Sequence, residues 1–314
     1  MNQAVAVYQS SLVDPFLNLA IEDHLLRKRP LSERALLLYV NDPAVVIGRH
    51  QNPWIECNPE LLVQESVVLA RRQSGGGTVY HDRGNLNFTL FSRREDYDQD
   101  ANFTLVVDAL RALGVAAERS GRNDLVCGGY KISGSAFKHL RERSFHHGTL
   151  LVAADLARLS AALKPAPAEI RSCGIASVRS TVANLIDLVP GAPAELMGRV
   201  ADALVAAFEE RWGAAARAGA GAGAVQVIDP AFVDAHAQIL ARANEYRAWD
   251  WVYGKTPRFA ETVRLDGGIA HVYVENGRIS EIELNGARRD GGATVWRERL
   301  LGAEYRPSLT EQWI

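Results

Sequence analysis

Three consecutive glycines between two strand-like segments constrain this chain more than any other feature. Gly75, Gly76 and Gly77 lie between the apolar segments 66–70 and 85–91, and a plain hairpin does not need three glycines. Glycine adopts positive φ and lets a ligand approach the main chain. Successive N–H groups in such a loop form a concave anion site, and the guanidinium groups of Arg71 and Arg72 suit carboxylate or phosphate. The segment predicts an anion-binding loop, and a flexible turn with solvated arginines is the alternative.

Composition excludes several classes of protein. The chain has 314 residues, of which 47% are hydrophobic and 23% charged, which is typical of a globular protein. A net charge of -2 without a long basic run does not favour nucleic acid as a partner. Cys57, Cys127 and Cys173 form no CxxC pair, so we expect neither a disulfide framework nor a zinc site. No apolar stretch could span a bilayer and no targeting segment is recognisable, so we expect a cytoplasmic protein without a membrane partner.

The order of apolar segments predicts an α+β fold. Strand-like segments outnumber those of a regular βαβ alternation, which favours a mixed β-sheet with flanking helices over a doubly wound parallel sheet. Asp14, Asn58 and Asp155 are expected to cap helices, and residues 230–244 read as one helix. Asn276-Gly277 indicates a hairpin near the C-terminus. We therefore expect a large domain at residues 1–245 and a small α+β domain at residues 246–314.

Lys131 is the strongest catalytic candidate. It lies among small residues (KISGSA) directly after the Gly128-Gly129 turn, and a lysine near a phosphate site can neutralise developing negative charge. Asp124 follows Asn123 and offers carboxylate oxygens for Mg²⁺. A solvated strand lysine and a polar Asn-Asp turn are the alternatives. The chain has neither of the common phosphate motifs, the P-loop and the dinucleotide fingerprint.

Three histidines and a cysteine are further candidates. His81 could contact a ligand, act as a base or make a structural hydrogen bond with a neighbour. His146 and His147 are adjacent in a predicted strand, so their side chains face opposite ways and at most one reaches a given site. Cys173 could be the nucleophile of an acyltransferase, but no base is identifiable beside it, and an unreactive cysteine is the alternative.

Several motifs resemble one enzyme family. The segment 71–82 (RRQSGGGTVYHD) is similar to the signature loop of the lipoate–protein ligase A family. The same family is matched in order by the segments 48–54 (GRHQNPW), 120–125 (SGRNDL), 131–136 (KISGSA), 145–151 (FHHGTLL) and 177–180 (SVRS). Lipoyltransferases are close relatives that share several of these segments.

The resemblance implies a fold and a reaction. The fold would be a mixed-sheet catalytic domain related to biotin protein ligases, followed by a small C-terminal domain. Lipoate and ATP would give lipoyl-adenylate and pyrophosphate with Mg²⁺. The lipoyl group, or octanoyl in its place, would then pass to a lysine on the acceptor domains of 2-oxoacid dehydrogenase complexes or on the glycine cleavage H protein.

The resemblance also implies roles for individual residues. Lys131 would bridge the lipoate carboxylate and the α-phosphate, and Asp124 would hold Mg²⁺. The residues implied for the nucleotide are Arg72, Gly77, Thr78, Val79, Tyr80 and Lys131. Those implied for lipoate are Arg72, Gly75, Gly76, His81, Lys131, Ser133 and His147.

Three alternatives share parts of this pattern. The first is a lipoyltransferase that uses preformed lipoyl-adenylate or a lipoylated donor and does not activate lipoate with ATP. The second is an octanoyl transferase with Cys173 as its nucleophile. The third is a module that binds lipoate or its adenylate without catalysis.

Overall fold

The computed structural model describes residues 4–121, 123–165, 168–178, 180–189, 193–213, 225–265, 268–286 and 298–307. The strands are β1 Ala4–Ser10, β2 Glu33–Tyr39, β3 Ala44–Ile47, β4 Val68–Arg71, β5 Val79–His81, β6 Asn85–Arg93, β7 Glu118–Ser120, β8 Asp124–Cys127, β9 Tyr130–His139, β10 Arg143–Leu151, β11 Glu169–Ser172, β12 Gln226–Ile228, β13 Phe259–Leu265, β14 Gly268–Glu275 and β15 Arg278–Asn285. The α-helices are α1 Pro15–Lys28, α2 Pro53–Glu56, α3 Pro59–Gln64, α4 Gln99–Ala112, α5 Leu156–Ala162, α6 Pro193–Phe208, α7 Pro230–Asp234, α8 Ala237–Arg247 and α9 Trp249–Val252.

The largest sheet has eight strands in the order β12-β1-β2-β6-β10-β9-β8-β7. The β12–β1 and β1–β2 pairs are parallel, whereas every pair from β2–β6 to β8–β7 is antiparallel. This mixed sheet with helices around it confirms the predicted α+β class. In the described part of the chain, no helix combines the length and the apolar character needed to cross a membrane.

Helices cover both faces of this sheet because its strands are apolar on both sides. In β2, Leu36 and Leu38 pack with α4 and α6, while Ala35 and Leu37 pack with α1 and α8. Consecutive strand residues point to opposite faces, so this single strand contributes to both hydrophobic cores. The continuous apolar run of β2 is explained by this double burial.

The helix starts follow the predicted caps, with one correction. The side chains of Asp14, Asn58 and Asp155 accept hydrogen bonds from backbone N–H groups in the first turns of α1, α3 and α5. The prediction of one helix at 230–244 is wrong, because α7 ends at Asp234 and α8 begins at Ala237. His236 has a non-helical backbone there, and its ring Nδ1 donates to the Phe232 carbonyl at 2.7 Å.

A second sheet has the strand order β11-β13-β14-β15. Asn276 and Gly277 have φ of 50° and 72°, as a two-residue hairpin turn requires, so the predicted hairpin is confirmed. Strand β11 comes from the sequence predicted for the large domain and pairs with β13. Trp54 also packs into the core of this sheet, against Phe259. The C-terminal sheet and its core therefore contain residues from well before position 246.

A third sheet, β4-β3-β5, positions the glycine-rich segment. Strand β3 is parallel to β4 and antiparallel to β5, and Ile47 and Val46 pair with Arg71 and Val79 at its C-terminal end. The connection between β4 and β5, residues 72–78, must therefore cross the end of β3. We call this connection the glycine loop.

Candidate active site

The glycine loop lies against the residue that follows β3. A Cβ atom on Gly48 would lie 2.3 Å from the carbonyl oxygen of Gly76, so only glycine permits this approach. The N–H of Arg49 donates to the Ser74 carbonyl at 2.9 Å. Gly76 itself has φ of +85°, in the region that favours glycine. The GRHQNPW and SGGG motifs thus contact each other in the fold.

Arg71 does not face the ligand side of the loop. Its buried guanidinium donates to the carbonyl groups of Gly48, Arg49, Gln51 and Val252 at distances of 2.7–3.3 Å. Burial lowers its pKa to about 10, so it remains a cation at neutral pH. The expectation that Arg71 binds an anion is therefore wrong. This arginine joins the segment after β3 to the segment after α9.

Arg72 lies inside the loop. Its guanidinium donates to the carbonyl groups of Val46 at 2.9 Å, and of Gly75 and Gly77 at 2.6 Å each. Its Nε also donates to Oγ of Ser74 at 3.0 Å. Burial lowers the pKa of Arg72 to about 10, and the nearby Glu22 carboxylate acts in the opposite direction. Arg72 therefore holds the loop carbonyl groups inward, and its direct contact with a substrate stays a prediction.

The loop amides take no part in these interactions. In the described part of the chain, the N–H groups of Gly75, Gly76 and Gly77 have no protein acceptor. A Cβ atom on Gly75 would meet no atom within 4 Å, so the loop is open at this residue. Adjacent backbone donors of this kind can bind an anion.

The far end of the loop is fixed by a serine that sequence reasoning did not single out. Oγ of Ser177 accepts from the Thr78 N–H at 2.8 Å and from Nε2 of Gln51 at 3.0 Å, and it donates to the Glu56 carboxylate. Oγ1 of Thr78 donates to the same carboxylate at 3.0 Å. The SVRS motif, which was noted only as part of the resemblance, thus contributes the hydroxyl that fixes the loop.

Lys131 and Asp124 form an ion pair beside the loop. Nζ of Lys131 lies 2.9 Å from Oδ1 of Asp124, and both side chains are only partly exposed. The register between β8 and β9 shifts here, so that Leu125 pairs with Ser133 and Val126 with Lys131. Such a bulge re-aims a side chain and is frequent beside active sites.

Strand β9 brings this ion pair close to the glycine loop. A Cβ atom on Gly134 would lie 3.3 Å from Nζ of Lys131, and one on Gly76 would lie 3.2 Å from Cβ of Ala136. Gly134 and Ala136 are two residues apart in a strand and therefore share a face. Lys131 and Gly76 consequently approach the same face of β9.

A buried chain of polar groups lies beneath the loop. Oγ of Ser74 is 2.8 Å from Nε2 of His147, and Nδ1 of His147 is 2.8 Å from Oε1 of Glu22. The neighbouring His146 points into the opposite core, against Phe88 and other rings, and burial lowers its pKa to about 3. The prediction that the two side chains face opposite ways is confirmed, and the contact of His147 with a substrate stays a prediction. Ser74 and Glu22 were not expected, because a serine and a helix glutamate carry no signal of their own.

The other predicted site residues occupy buried positions around the loop. Nδ1 of His81 accepts from Nδ2 of Asn41 at 2.9 Å, and burial together with the charge of Arg72 lowers the pKa of His81 to about 3. Ser133 is buried, and Oγ has no partner in the described chain. The Tyr80 side chain packs in an apolar cluster away from the loop amides. Val79 packs against the core beneath the large sheet.

A narrow crevice beside Glu22 has no room for a water molecule. Its lining residues are Leu19, Glu22, Asp23, Gln73, Phe145 and Tyr246. The described structure therefore holds no open space for a substrate tail at this place.

Cys173 is exposed in the loop after β11, and its N–H donates to the Arg258 carbonyl at 3.3 Å.

Asp124 offers one carboxylate to a metal ion. Among the described residues, no group of three or more His, Cys, Asp or Glu side chains is arranged to hold a metal ion.

Comparison with known proteins agrees with the predicted resemblance. Residues 14–209 match the family model of the lipoyl protein ligase A/B catalytic domain. Lipoate-protein ligase A of Psychrobacter cryohalolentis is 41% identical over 282 residues, which cover 88% of this chain and 82% of the relative. The crystal structure of P. falciparum LipL1 in complex with lipoate has a TM-score of 0.68 at 25% identity, covering 99% of this chain and 94% of that one. A lipoate-protein ligase A bound with ATP has a TM-score of 0.61 at 26% identity, covering 80% and 98% of the two chains. The chain therefore belongs to the lipoyl protein ligase A/B family.

Proposed function

We propose that this chain is an ATP-dependent lipoate–protein ligase that forms lipoyl-adenylate and then transfers the lipoyl group to an acceptor lysine. Family membership supports ligase activity on lipoate. The relatives that bind lipoate and ATP support these two compounds as substrates. The observation that carries the proposal is the row of three loop amides without an acceptor in the described chain, of which Gly76 approaches the face of β9 where Lys131 lies beside Gly134.

The first half-reaction brings two anions together. The lipoate carboxylate attacks the α-phosphate of ATP, a C–O–P anhydride bond forms, and the bond to the β-phosphate breaks with release of pyrophosphate. Lys131 and the amides of Gly75, Gly76 and Gly77 can neutralise the charge that otherwise keeps the reactants apart. Arg72 supports this step indirectly, because it holds the loop carbonyl groups away from the anions.

Asp124 fits a role as a magnesium ligand. Mg²⁺ is commonly held by one or two carboxylates together with substrate phosphate oxygens and water. One carboxylate beside the anion site matches that pattern, and its ion pair with Lys131 keeps both groups at the site of phosphate binding. Bound Mg²⁺ would supply additional neutralisation of the ATP phosphates.

The second half-reaction needs no enzyme nucleophile. The adenylate is a mixed anhydride, so a lysine amine can attack its carbonyl directly, and AMP leaves. We propose the lipoyl-acceptor domains of 2-oxoacid dehydrogenases and the glycine cleavage H protein as acceptors, which is what the family resemblance implies.

We also propose that residues 246–314 act as an accessory domain that moves between the two half-reactions together with strand β11, which pairs with its sheet, as lids do in other enzymes. The linking contact would be Arg71, whose guanidinium binds the carbonyl of Val252 and the hydroxyl of Thr256.

Acceptor labelling tests the proposal and separates it from its alternatives. A purified acceptor domain is incubated with the chain and either lipoate, Mg²⁺ and ATP, or preformed lipoyl-adenylate alone, and lipoyl-lysine is measured by mass spectrometry. A ligase labels the acceptor in both mixtures, whereas a transferase labels it only in the second. Labelling in neither mixture would support a binding module. Cys173→Ala should remain active, and loss of its activity would favour the octanoyl transferase.

A further inference from the structure

Glu56 carries a buried carboxylate that the proposed chemistry does not use. The residue is 7% exposed. Its Oε1 accepts from the backbone N–H of Ser177 at 3.0 Å, and its Oε2 accepts from the hydroxyl of Ser177 and, at 3.0 Å, from Oγ1 of Thr78. Burying a carboxylate costs free energy unless donors satisfy it, so these three contacts hold Ser177 and Thr78 at Glu56.

The short helix α2 that carries Glu56 is fixed by two separate hydrophobic cores. Trp54 packs into the core of the C-terminal sheet, against Phe259. Cys57 is 0% exposed and packs with side chains of β3 and β5. The first turn is capped by Asn52, whose side chain accepts from the Trp54 N–H at 3.0 Å. The Glu56 carboxylate is therefore a fixed point between the two cores.

Two segments meet at this fixed point. Ser177 lies on the chain that leaves β11 of the C-terminal sheet, and Thr78 is the last residue of the glycine loop. Oγ of Ser177 accepts from the Thr78 N–H at 2.8 Å and from Nε2 of Gln51 at 3.0 Å. Both electron pairs of the hydroxyl are thus used, and its one hydrogen goes to Glu56. The carboxylate consequently sets the position of the Ser177 hydroxyl, which in turn sets that of the Thr78 N–H.

We propose that Glu56 is a positioning residue for the end of the glycine loop at Thr78, an inference that rests on the proposed ligase function. Glu56 itself touches no reacting atom and acts through Ser177 and Thr78. The family resemblance implies Thr78 for the nucleotide and not for lipoate. Loss of the Glu56 contacts should therefore weaken the use of ATP more than the use of lipoate.

Glu56→Gln is the sharpest test because it keeps the side-chain shape. A glutamine could still accept from the Ser177 N–H, but its Nε2 would face a hydroxyl whose electron pairs are both in use. The hydroxyl must then move or release the Thr78 N–H. We expect the KM for ATP in lipoate-dependent pyrophosphate exchange to rise about 10-fold or more, the cost of losing a hydrogen bond to a charged group. The KM for lipoate should stay near the wild-type value.

Ser177→Ala removes the same contact from the other side. Because the two substitutions disrupt one interaction, the double variant should have a KM for ATP no higher than that of the weaker-binding single variant. Additive effects would show that Glu56 does not act through Ser177.

Ser172→Ala is the matched control. Its Oγ accepts from the Gly174 N–H at 3.0 Å and from Nδ2 of Asn52 at 3.4 Å, in the same segment as Ser177 but without a hydrogen bond to the glycine loop. This variant should keep the wild-type KM for ATP.

Amide hydrogen exchange of the ligand-free protein tests the contact without the reaction. In the wild type, the Thr78 N–H is bonded to Ser177 and should exchange more slowly than the Gly75 N–H, which has no acceptor in the described chain. We expect faster exchange at Thr78 in Glu56→Gln and in Ser177→Ala, and the wild-type rate in Ser172→Ala.

Two outcomes would overturn the positioning role. Unchanged amide exchange at Thr78 in Glu56→Gln would show that the carboxylate does not hold this end of the loop. Equal rises in the KM values for ATP and lipoate would show general damage to the site. A wild type without pyrophosphate exchange would instead contradict the proposed ligase function, and amide exchange at Thr78 would still test the contact.

Discussion

The Nζ atom of Lys131 lies 2.9 Å from Oδ1 of Asp124, on neighbouring strands that join at a two-glycine turn. A cation and an anion are thus held together on β8 and β9, and Ala136 of β9 approaches Gly76 of the glycine loop. The two charges neutralise each other in the free protein. When Mg²⁺–ATP binds, Lys131 could pair with a phosphate and Asp124 with the magnesium ion. We regard this pair as the part of the site that recognises the triphosphate.

Asp124→Asn should raise the Mg²⁺ concentration that the enzyme needs. The substitution removes the carboxylate charge but keeps the side-chain shape. We expect the Mg²⁺ concentration for half-maximal pyrophosphate exchange to rise on the order of 10-fold or more, as for other weakened metal sites. Exchange is measured across a Mg²⁺ titration at saturating ATP and lipoate. Asp108→Asn, at an exposed ion pair with Arg111, is the control. An unchanged Mg²⁺ requirement in Asp124→Asn would remove Asp124 from the metal site.

Gly48→Ala should inactivate the enzyme without unfolding it. The new Cβ would lie 2.3 Å from the Gly76 carbonyl, so the glycine loop has to move. Displacing catalytic groups by about 1 Å costs on the order of 10²-fold in rate, and we expect at least that loss in pyrophosphate exchange. Gly198→Ala in α6, where a Cβ would meet nothing within 4 Å, should keep full activity. Wild-type exchange in Gly48→Ala would mean that the loop position is not critical.

Arg71→Met should destabilise the chain strongly. Removing the guanidinium leaves the buried carbonyl groups of Gly48, Arg49, Gln51 and Val252 without their donor. We expect the free energy of unfolding to fall by about 3–5 kcal/mol, as when one partner of a buried charged network is removed. Urea denaturation of wild type and variant measures this difference. Arg111→Met, at an exposed ion pair, should change it by less than about 1 kcal/mol. A small effect at Arg71 would contradict its structural role.

His146→Phe should make stability less dependent on pH. His146 has a pKa lowered from 6.5 to about 3 by burial among aromatic rings. Below pH 6.5 the imidazole therefore binds a proton in the unfolded chain but not in the folded chain. The free energy of unfolding consequently decreases as pH falls from 6.5 towards 3. Between pH 6.5 and 5 the wild type should lose about 2 kcal/mol more than the variant.

Urea denaturation at pH 8, 7, 6 and 5 provides the measurement for His146. Between pH 8 and 7 both proteins should change equally, because the imidazole is neutral in the folded and unfolded chains there. Parallel loss of stability down to pH 5 would show that His146 is protonated in the folded state.

Local signals in the sequence were sufficient for much of the fold. Asp14, Asn58 and Asp155 cap helices because their side chains bond to amides two or three residues away. The Asn276-Gly277 turn depends only on positive φ at two adjacent residues. Both kinds of feature involve short-range interactions, so the sequence alone shows them. The break at His236 was missed because a side-chain bond to the previous turn leaves no pattern in hydrophobicity.

Features that depend on long-range contacts were not predictable. Strand β11 joins the C-terminal sheet across nearly ninety positions, and Trp54 packs there as well, so the two lobes interlock. Arg71 was expected to offer its guanidinium to an anion, yet it is 0% exposed and binds backbone carbonyl groups far away in the sequence. The roles of Glu22 and Ser177 also emerge only when α1 and the SVRS segment meet the glycine loop.

Lipoate-dependent exchange of labelled pyrophosphate into ATP, without an acceptor, tests the central claim most directly. We expect exchange in the wild type, and a loss of at least about 10²-fold in Lys131→Ala, because the ammonium neutralises charge in the transition state. Lys164→Ala, at the exposed end of α5, should exchange normally. A folded wild type that shows no exchange would contradict adenylate formation. Full exchange in Lys131→Ala would contradict the role assigned to that lysine.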